Sequence, residues 1–159
     1  MALSPELLHQ IRPMGDGDLD AVSAIEAVTF PDPWPRHALG YEALHNPVCS
    51  SFVIEAEGSV AGYAFLWVIF EQAHLINIAV ADSRRGRGYG EALLVHVLRH
   101  ARSQGAEVIH LEVRETNEAA VALYLKYGFT VLGHRDRYYS DGAPALFMEA
   151  SLAPLPSAG

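Results

Sequence analysis

The spacing of apolar positions changes as the 159-residue chain runs from one end to the other. In DGDLDAVSAIEAVTF, Leu19, Val22 and Ile25 recur at helical spacing, with Asp16 or Asp18 standing where an N-cap would. A second helical segment, PRHALGYEALHN, follows the proline-punctuated loop from Phe30 to Pro35. The period then shortens to strand-like runs in SSFVIEAEGSVAGYAFLWVIFEQAHLINIAVAD, with Glu57-Gly58 and Glu71-Gln72 as turns. Beyond Val80, helix and strand alternate. A helix is predicted from about Gly88 to Ser103, where Leu94, Val97, Leu98 and Ala101 share a stripe. The strand EVIHLEVR leads to a second helix from about Asn117 to Tyr127, and FTVLGHRDRYY and PALFMEASL read as closing strands. Hairpins followed by strand, helix, strand, helix, strand predict a mixed sheet with helices on both faces. No internal repeat is visible. The pattern predicts one domain over residues 1–152, and the small, proline-rich APLPSAG at 153–159 reads as a frayed tail.

Composition narrows the function classes. Half of the residues are hydrophobic and 19% are charged, which is globular composition. Asp and Glu total 19 against 11 Lys and Arg, so a broad nucleic-acid face is not expected, and the acidic body favours cationic substrates such as amines. Cys49 is the only cysteine, which excludes an internal disulfide and fits a reducing compartment. The start, MALSPELLHQIRPMG, lacks the pattern of a signal peptide, and AFLWVIF is too short to span a bilayer. A soluble cytoplasmic protein, monomeric or weakly dimeric and without membrane contact, is the expectation.

Positive charge nonetheless collects at one turn, Arg84 to Gly90. A P-loop would need Lys-Ser or Lys-Thr after its last glycine, and a dinucleotide fingerprint would need a third glycine where Glu91 stands. Neither pattern is met. The physical capacity for an anion remains, because glycines let backbone amides converge and the following helix adds its positive end. A tight strand-to-helix turn with solvated arginines is the structural alternative.

Further on, strand alternation sends Ile109, Leu111 and Val113 to one face and His110, Glu112 and Arg114 to the other. A carboxylate in a half-buried strand is either paired, with Arg114 on its own face a candidate, or has a raised pKa. In NEAAVALYLKYGF, Tyr124 and Tyr127 read as core aromatics with hydroxyls reaching the surface, Asn117 as a cap and Gly128 as a stop. His96 and His100 stand at i, i+4 without a third ligand or a metalloprotease signature, so no metal site is expected. Cys49 lacks a base motif and reads as a buried small hydrophobe.

Arg85-x-x-Gly88-x-Gly90, between a strand and a helix, resembles the pyrophosphate-binding signature of the GNAT superfamily of N-acetyltransferases. FPDPW, NIAV, RRGRGYG, LEVRETN, ALYLKYGF and RDRYY, in this order, are together similar to its ribosomal-protein-alanine (RimI) type. The similarity runs from about residue 10 to about residue 150. The resemblance implies a mixed, mostly antiparallel sheet whose central parallel strands splay apart. It implies acetyl-coenzyme A as co-substrate, Glu112 as general base and Tyr124 as the acid that protonates the departing thiolate. It also implies that Ile78 and Val80 bind the pantetheine arm through their backbones, and that Val80 N–H polarises the thioester. Asn117 would contact the cofactor, and Arg85, Gly86, Arg87, Gly88, Tyr89 and Gly90 would hold the pyrophosphate. Phe30, Trp34, Tyr138 and Tyr139 would wall the acceptor groove. Pro35 departs from the family's usual Ser or Thr, which removes a helix cap but not the chemistry. The implied acceptor is the α-amine of a protein, with a ribosomal small-subunit protein beginning with alanine as the candidate. Acetylation of a lysine or polyamine, and coenzyme A sensing without turnover, are the alternatives.

Overall fold

The computed structural model describes residues 3–152, so the tail expected at 153–159 lies outside the described residues. A short helix α1 (Pro5–His9) leads into β1 (Ile11–Pro13), and a 3-10 turn at Asp16–Asp18 opens α2 (Leu19–Thr29). After α3 (Arg36–Leu44) come β2 (Cys49–Ala56), β3 (Ser59–Ile69) and β4 (Gln72–Val80). A 3-10 turn at Asp82–Arg84 precedes α4 (Tyr89–Ser103), followed by β5 (Val108–Arg114), α5 (Glu118–Lys126), β6 (Thr130–Arg135) and β7 (Ala145–Ser151). The strands form one sheet in the order β1-β2-β3-β4-β5-β7-β6, and every neighbouring pair is antiparallel except β4 and β5. The mixed sheet predicted from the pattern is therefore present. Neither α1 nor β1 is foreseen by the pattern.

Two apolar cores lie on opposite faces. Ile54, Leu66, Leu75, Leu93, Leu94, Val97, Ile109 and Met148 build the core beneath α4 and α5. Leu19, Val22, Leu39, Tyr63 and Phe65 build the other beneath α2 and α3. Gly62 lets β3 and β4 meet under α4, since a Cβ there would stand 2.7 Å from the Ala79 carbonyl oxygen and 3.2 Å from Leu93 Cδ1.

Three local details differ from the sequence pattern. The β3–β4 hairpin turns on Phe70 and Glu71, not Glu71-Gln72, because Ile69 pairs with Gln72 and Phe70 takes φ 55°. RDRYY leaves the sheet after Arg135: Arg137 is left-handed at φ 52°, and the amides of Tyr138 and Tyr139 both donate to the Ala143 carbonyl. Neither Asp16 nor Asp18 caps α2 with its side chain. The Asp18 carboxylate instead accepts from Gly15 N–H at 2.8 Å and from Arg12 at 2.7 and 2.8 Å.

Those Arg12 bonds hold the Asp18 carboxyl below its ordinary 3.8, burial opposes the shift, and Gly15 N–H adds to it. Because the folded pKa is depressed, this stabilisation is full above the unfolded pKa and is lost as pH falls through the folded value. Asp18→Asn should therefore unfold at lower denaturant than the wild type near neutral pH. The two midpoints should converge as the pH is taken down to about 2. A gap that stays constant across this range would contradict the ion-pair account.

Candidate active site

β4 and β5 run together only briefly. Gln72, Ala73 and His74 pair with Val108, Ile109 and His110, and no pair follows. One cause is visible in β4. Phe65 pairs with Asn77 but Leu66 with Leu75, so Ile76 is an extra residue, and the bulge bends the strand. Beyond the fork, the backbone of β4 has no sheet partner on the β5 side. Ala81 N–H donates to the Ala61 carbonyl at 2.7 Å, and the same register pairs Gly62 with Val80 and Ala64 with Ile78. Bonded and non-bonded pairs alternate in an antiparallel ladder. Ile78 and Val80 thus direct their N–H and C=O groups away from β3, into the gap.

The glycine-rich turn follows at the end of the same strand. Gly86 and Gly88 are left-handed at φ 77° and 89°, and a Cβ on Gly88 would stand 3.2 Å from Leu7 Cδ1. Among the described residues, none of the amides from Gly86 to Glu91 donates to an acceptor, whereas Ala92 N–H already closes onto the Gly88 carbonyl. Six free amides at the positive end of α4 make a cradle for an anion. Arg85 bonds the Val80 carbonyl at 3.3 Å and pairs with Asp82 at 3.1 Å, Arg84 reaches Glu57 at 3.4 Å, and Arg87 is exposed. Tyr89 and Gly90 begin the helix, and Tyr89 packs against the α4 core. The unpaired amides of Ile78 and Val80 and those of the glycine turn all lie at the end of β4, free to donate to a ligand.

Glu112 lies just past the fork, on the face opposite Ile109, Leu111 and Val113, whose side chains are buried. Arg114 is not its partner. Arg114 binds Asp141 and lies over the Tyr139 ring at 4.9 Å, while Glu112 Oε2 meets His74 Nε2 at 2.7 Å. His74 is a site residue the sequence pattern does not single out. Beside this pair, His110 Nε2 meets Glu149 Oε2 at 2.7 Å.

Tyr124 approaches from the α5 side, buried in the core against Phe129, and its hydroxyl has no hydrogen-bond partner among the described residues. Burial, followed by the nearby Tyr139, pushes its phenol well above the ordinary value of 10. Tyr139 is itself pushed to about 12, by burial first and also by Tyr138 and Glu112 against the opposing pull of Arg114. Asn117 caps α5, its side-chain oxygen accepting from Ala120 N–H at 3.2 Å. The hydroxyl of Tyr127 does reach outward, donating to Glu91 at 2.6 Å.

The two stretches proposed as groove walls meet directly. Asp32, in the loop between α2 and α3, accepts from Ser140 N–H at 3.1 Å, which joins the loop that carries Phe30 and Trp34 to the segment that carries Tyr138 and Tyr139. Tyr138 packs edge-on against Tyr139 and Phe147. Pro35 begins α3 without a side-chain cap, as its chemistry requires.

His96 and His100 are half-buried, packed edge-on against Phe52 at 4.5 and 5.1 Å, and burial lowers both pKa values. Among the described residues, no three His, Cys, Asp or Glu side chains are placed to hold a metal. The Cys49 thiol is pushed up to about 12 by burial, far from a nucleophile's range.

A profile of the acetyltransferase (GNAT) family matches residues 19–129. A Bacillus subtilis (strain 168) protein provisionally named ribosomal protein bS18-alanine N-acetyltransferase is 37% identical over 139 residues, covering 87% of this chain and 92% of its own. An N-alpha-acetyltransferase of Sulfurisphaera tokodaii is 31% identical over 157 residues, covering 91% and 93%. The crystal structure of the ribosomal-protein-S18-alanine N-acetyltransferase from Escherichia coli aligns with a TM-score of 0.83 at 30% identity, covering 92% of this chain and 96% of that one.

Proposed function

The chain belongs to the acetyltransferase (GNAT) family, and from that premise we propose that it acetylates the N-terminal α-amine of a protein, with acetyl-coenzyme A as donor. The observation that carries the reading is the open fork itself, where the Ile78 and Val80 amides, Glu112 and the free amides of the glycine turn border one gap. On this reading residues 1–152 form a single acetyltransferase domain.

Bound in the gap, acetyl-coenzyme A supplies the acetyl group as an activated thioester. Residues Arg85 to Gly90 hold its pyrophosphate, Asn117 adds a contact, and the backbones of Ile78 and Val80 hold the arm. Val80 N–H donates to the carbonyl oxygen on which charge develops during attack, a contribution of the kind whose removal costs about 10²–10³ in rate. Glu112 accepts the proton of the acceptor ammonium through water, and its bond to His74 holds the carboxylate in place. Tyr124, a phenol whose ordinary pKa of about 10 keeps it protonated at neutral pH, has a proton to give to the thiolate that leaves. The acetyl group passes directly from donor to amine without an enzyme-bound acetyl.

An α-amine favours this arrangement over a lysine, since its pKa of about 8 lies closer to neutrality than about 10.4. Phe30, Trp34, Tyr138 and Tyr139 form the groove through which the first residues of the acceptor enter. By analogy with the relatives' names, the acceptor is a ribosomal small-subunit protein beginning with alanine, and on this reading the enzyme works in the cytoplasm. Mass spectrometry of protein N-termini from cells with and without this chain tests the acceptor. The expected result is loss of the acetyl group from one ribosomal protein, or a few. Unchanged N-termini throughout would overturn it.

A further inference from the structure

Glu26 in α2 is the most deeply buried carboxylate among the described residues, at 1% exposure. Its Oε1 accepts from the Tyr63 hydroxyl at 2.6 Å and from Asn77 Nδ2 at 2.9 Å. Its Oε2 accepts from the Trp34 amide at 3.0 Å and from the same Asn77 nitrogen at 3.2 Å. All of these partners are donors, and among the described residues no Lys, Arg or His pairs with it. Removing a carboxylate from water is costly, and a well-packed apolar side chain usually serves stability as well or better. What Glu26 provides that an apolar residue would not is a fixed position for three separate elements.

Two of those elements belong to opposite sides of the reaction. Trp34 lies in FPDPWP, where Pro31, Pro33 and Pro35 have no N–H, so the loop has few donors by which it can be held. Glu26 takes two of those few: its own carbonyl accepts from Phe30 N–H at 3.2 Å, and its carboxylate accepts from Trp34. Asn77 stands immediately after the bulge in β4 and before Ile78, whose amide faces the gap. A bulged strand with one unpaired edge needs an outside restraint if its backbone donors are to stay aimed.

We propose that Glu26 is a positioning residue for acetyl transfer, locking the acceptor wall at Trp34 to the donor strand at Asn77 so that amine and thioester meet in register. The inference rests on the assignment of Trp34 to the acceptor groove and of Ile78 and Val80 to the donor. Misplacement by about 1 Å can cost about 10²-fold in rate, so a joint between the two sides has leverage far beyond its own contacts.

Glu26→Ala and Glu26→Gln, assayed with acetyl-coenzyme A and a short peptide bearing a free N-terminal alanine, test this. Glu26→Ala should raise the KM for the peptide by about tenfold and lower kcat, while calorimetric affinity for coenzyme A stays within about twofold. Glu26→Gln keeps the shape and one acceptor oxygen, so it should recover part of the loss while melting close to the wild type. A Glu26→Ala enzyme with unchanged peptide KM overturns the inference alone. So does a Glu26→Gln enzyme in which donor and acceptor affinities fall together with the folded fraction, since that is a purely structural role. A wild-type enzyme that acetylates no peptide overturns the acceptor assignment, and the inference with it.

Discussion

Glu112→Gln is expected to lower kcat by about 10²–10⁴-fold, the range associated with loss of a positioned proton acceptor. The substitution keeps the shape of the side chain, and its amide can still meet His74, so the fork should not rearrange. Coenzyme A affinity should stay within about twofold of the wild type, because the free amides from Gly86 to Glu91 and the unpaired Ile78 and Val80 amides are untouched. Steady-state kinetics together with coenzyme A calorimetry separate the two effects. Equal turnover of variant and wild type across the pH range would remove Glu112 from the base role. A parallel loss of donor affinity would make it a binding residue instead.

The second large effect is expected at Tyr124. Its hydroxyl has no hydrogen-bond partner among the described residues, so Tyr124→Phe should cost little stability. Turnover should nevertheless fall by about 10²-fold or more, because the departing thiolate loses its proton source. The raised phenol carries a sign that can be checked: a group with an elevated pKa stays protonated as the pH rises through its ordinary value of 10. The wild-type rate should therefore show no alkaline fall assignable to Tyr124 below that pH. A descending limb below it that disappears in Tyr124→Phe would contradict the raised phenol, while identifying Tyr124 as the group that titrates.

Parts of this site are readable from the chain because they follow local rules. The period-2 alternation of EVIHLEVR puts Glu112 on the face opposite the buried Ile109, Leu111 and Val113, and the structure agrees. Glycines at 86 and 88 mark left-handed turn positions that open a helix, and both φ values are positive. The partner of Glu112 is a different matter. Arg114 shares its strand face and is the natural local choice, but Asp141 takes it, and His74 arrives from a strand more than thirty residues earlier through a three-pair parallel ladder. No local pattern encodes that register. The fork depends on one extra residue in β4 at Ile76, which is invisible in an apolar run such as HLINIAV.

Glu26 illustrates a different kind of signal. Leu19, Val22 and Glu26 stand at i, i+3 and i+7, so a carboxylate occupies the buried stripe of α2. Such a residue is informative, since charge on an apolar stripe requires dedicated donors. Which donors those are depends on Tyr63, Asn77 and Trp34 converging from other elements. RDRYY fails as a strand for a backbone reason, because left-handed Arg137 turns the chain out of the sheet and brings Ser140 to Asp32.

The central claim is direct transfer of acetyl to an α-amine in the β4–β5 gap. It is tested most directly by one competition experiment. The enzyme is given isotopically labelled acetyl-coenzyme A and a peptide that carries both a free N-terminal alanine and an internal lysine, and tandem mass spectrometry locates the label. The prediction is label on the α-nitrogen, none on the lysine and none on the protein itself. Label on the lysine side chain alone, or an acetyl group retained by the enzyme during turnover, would contradict it.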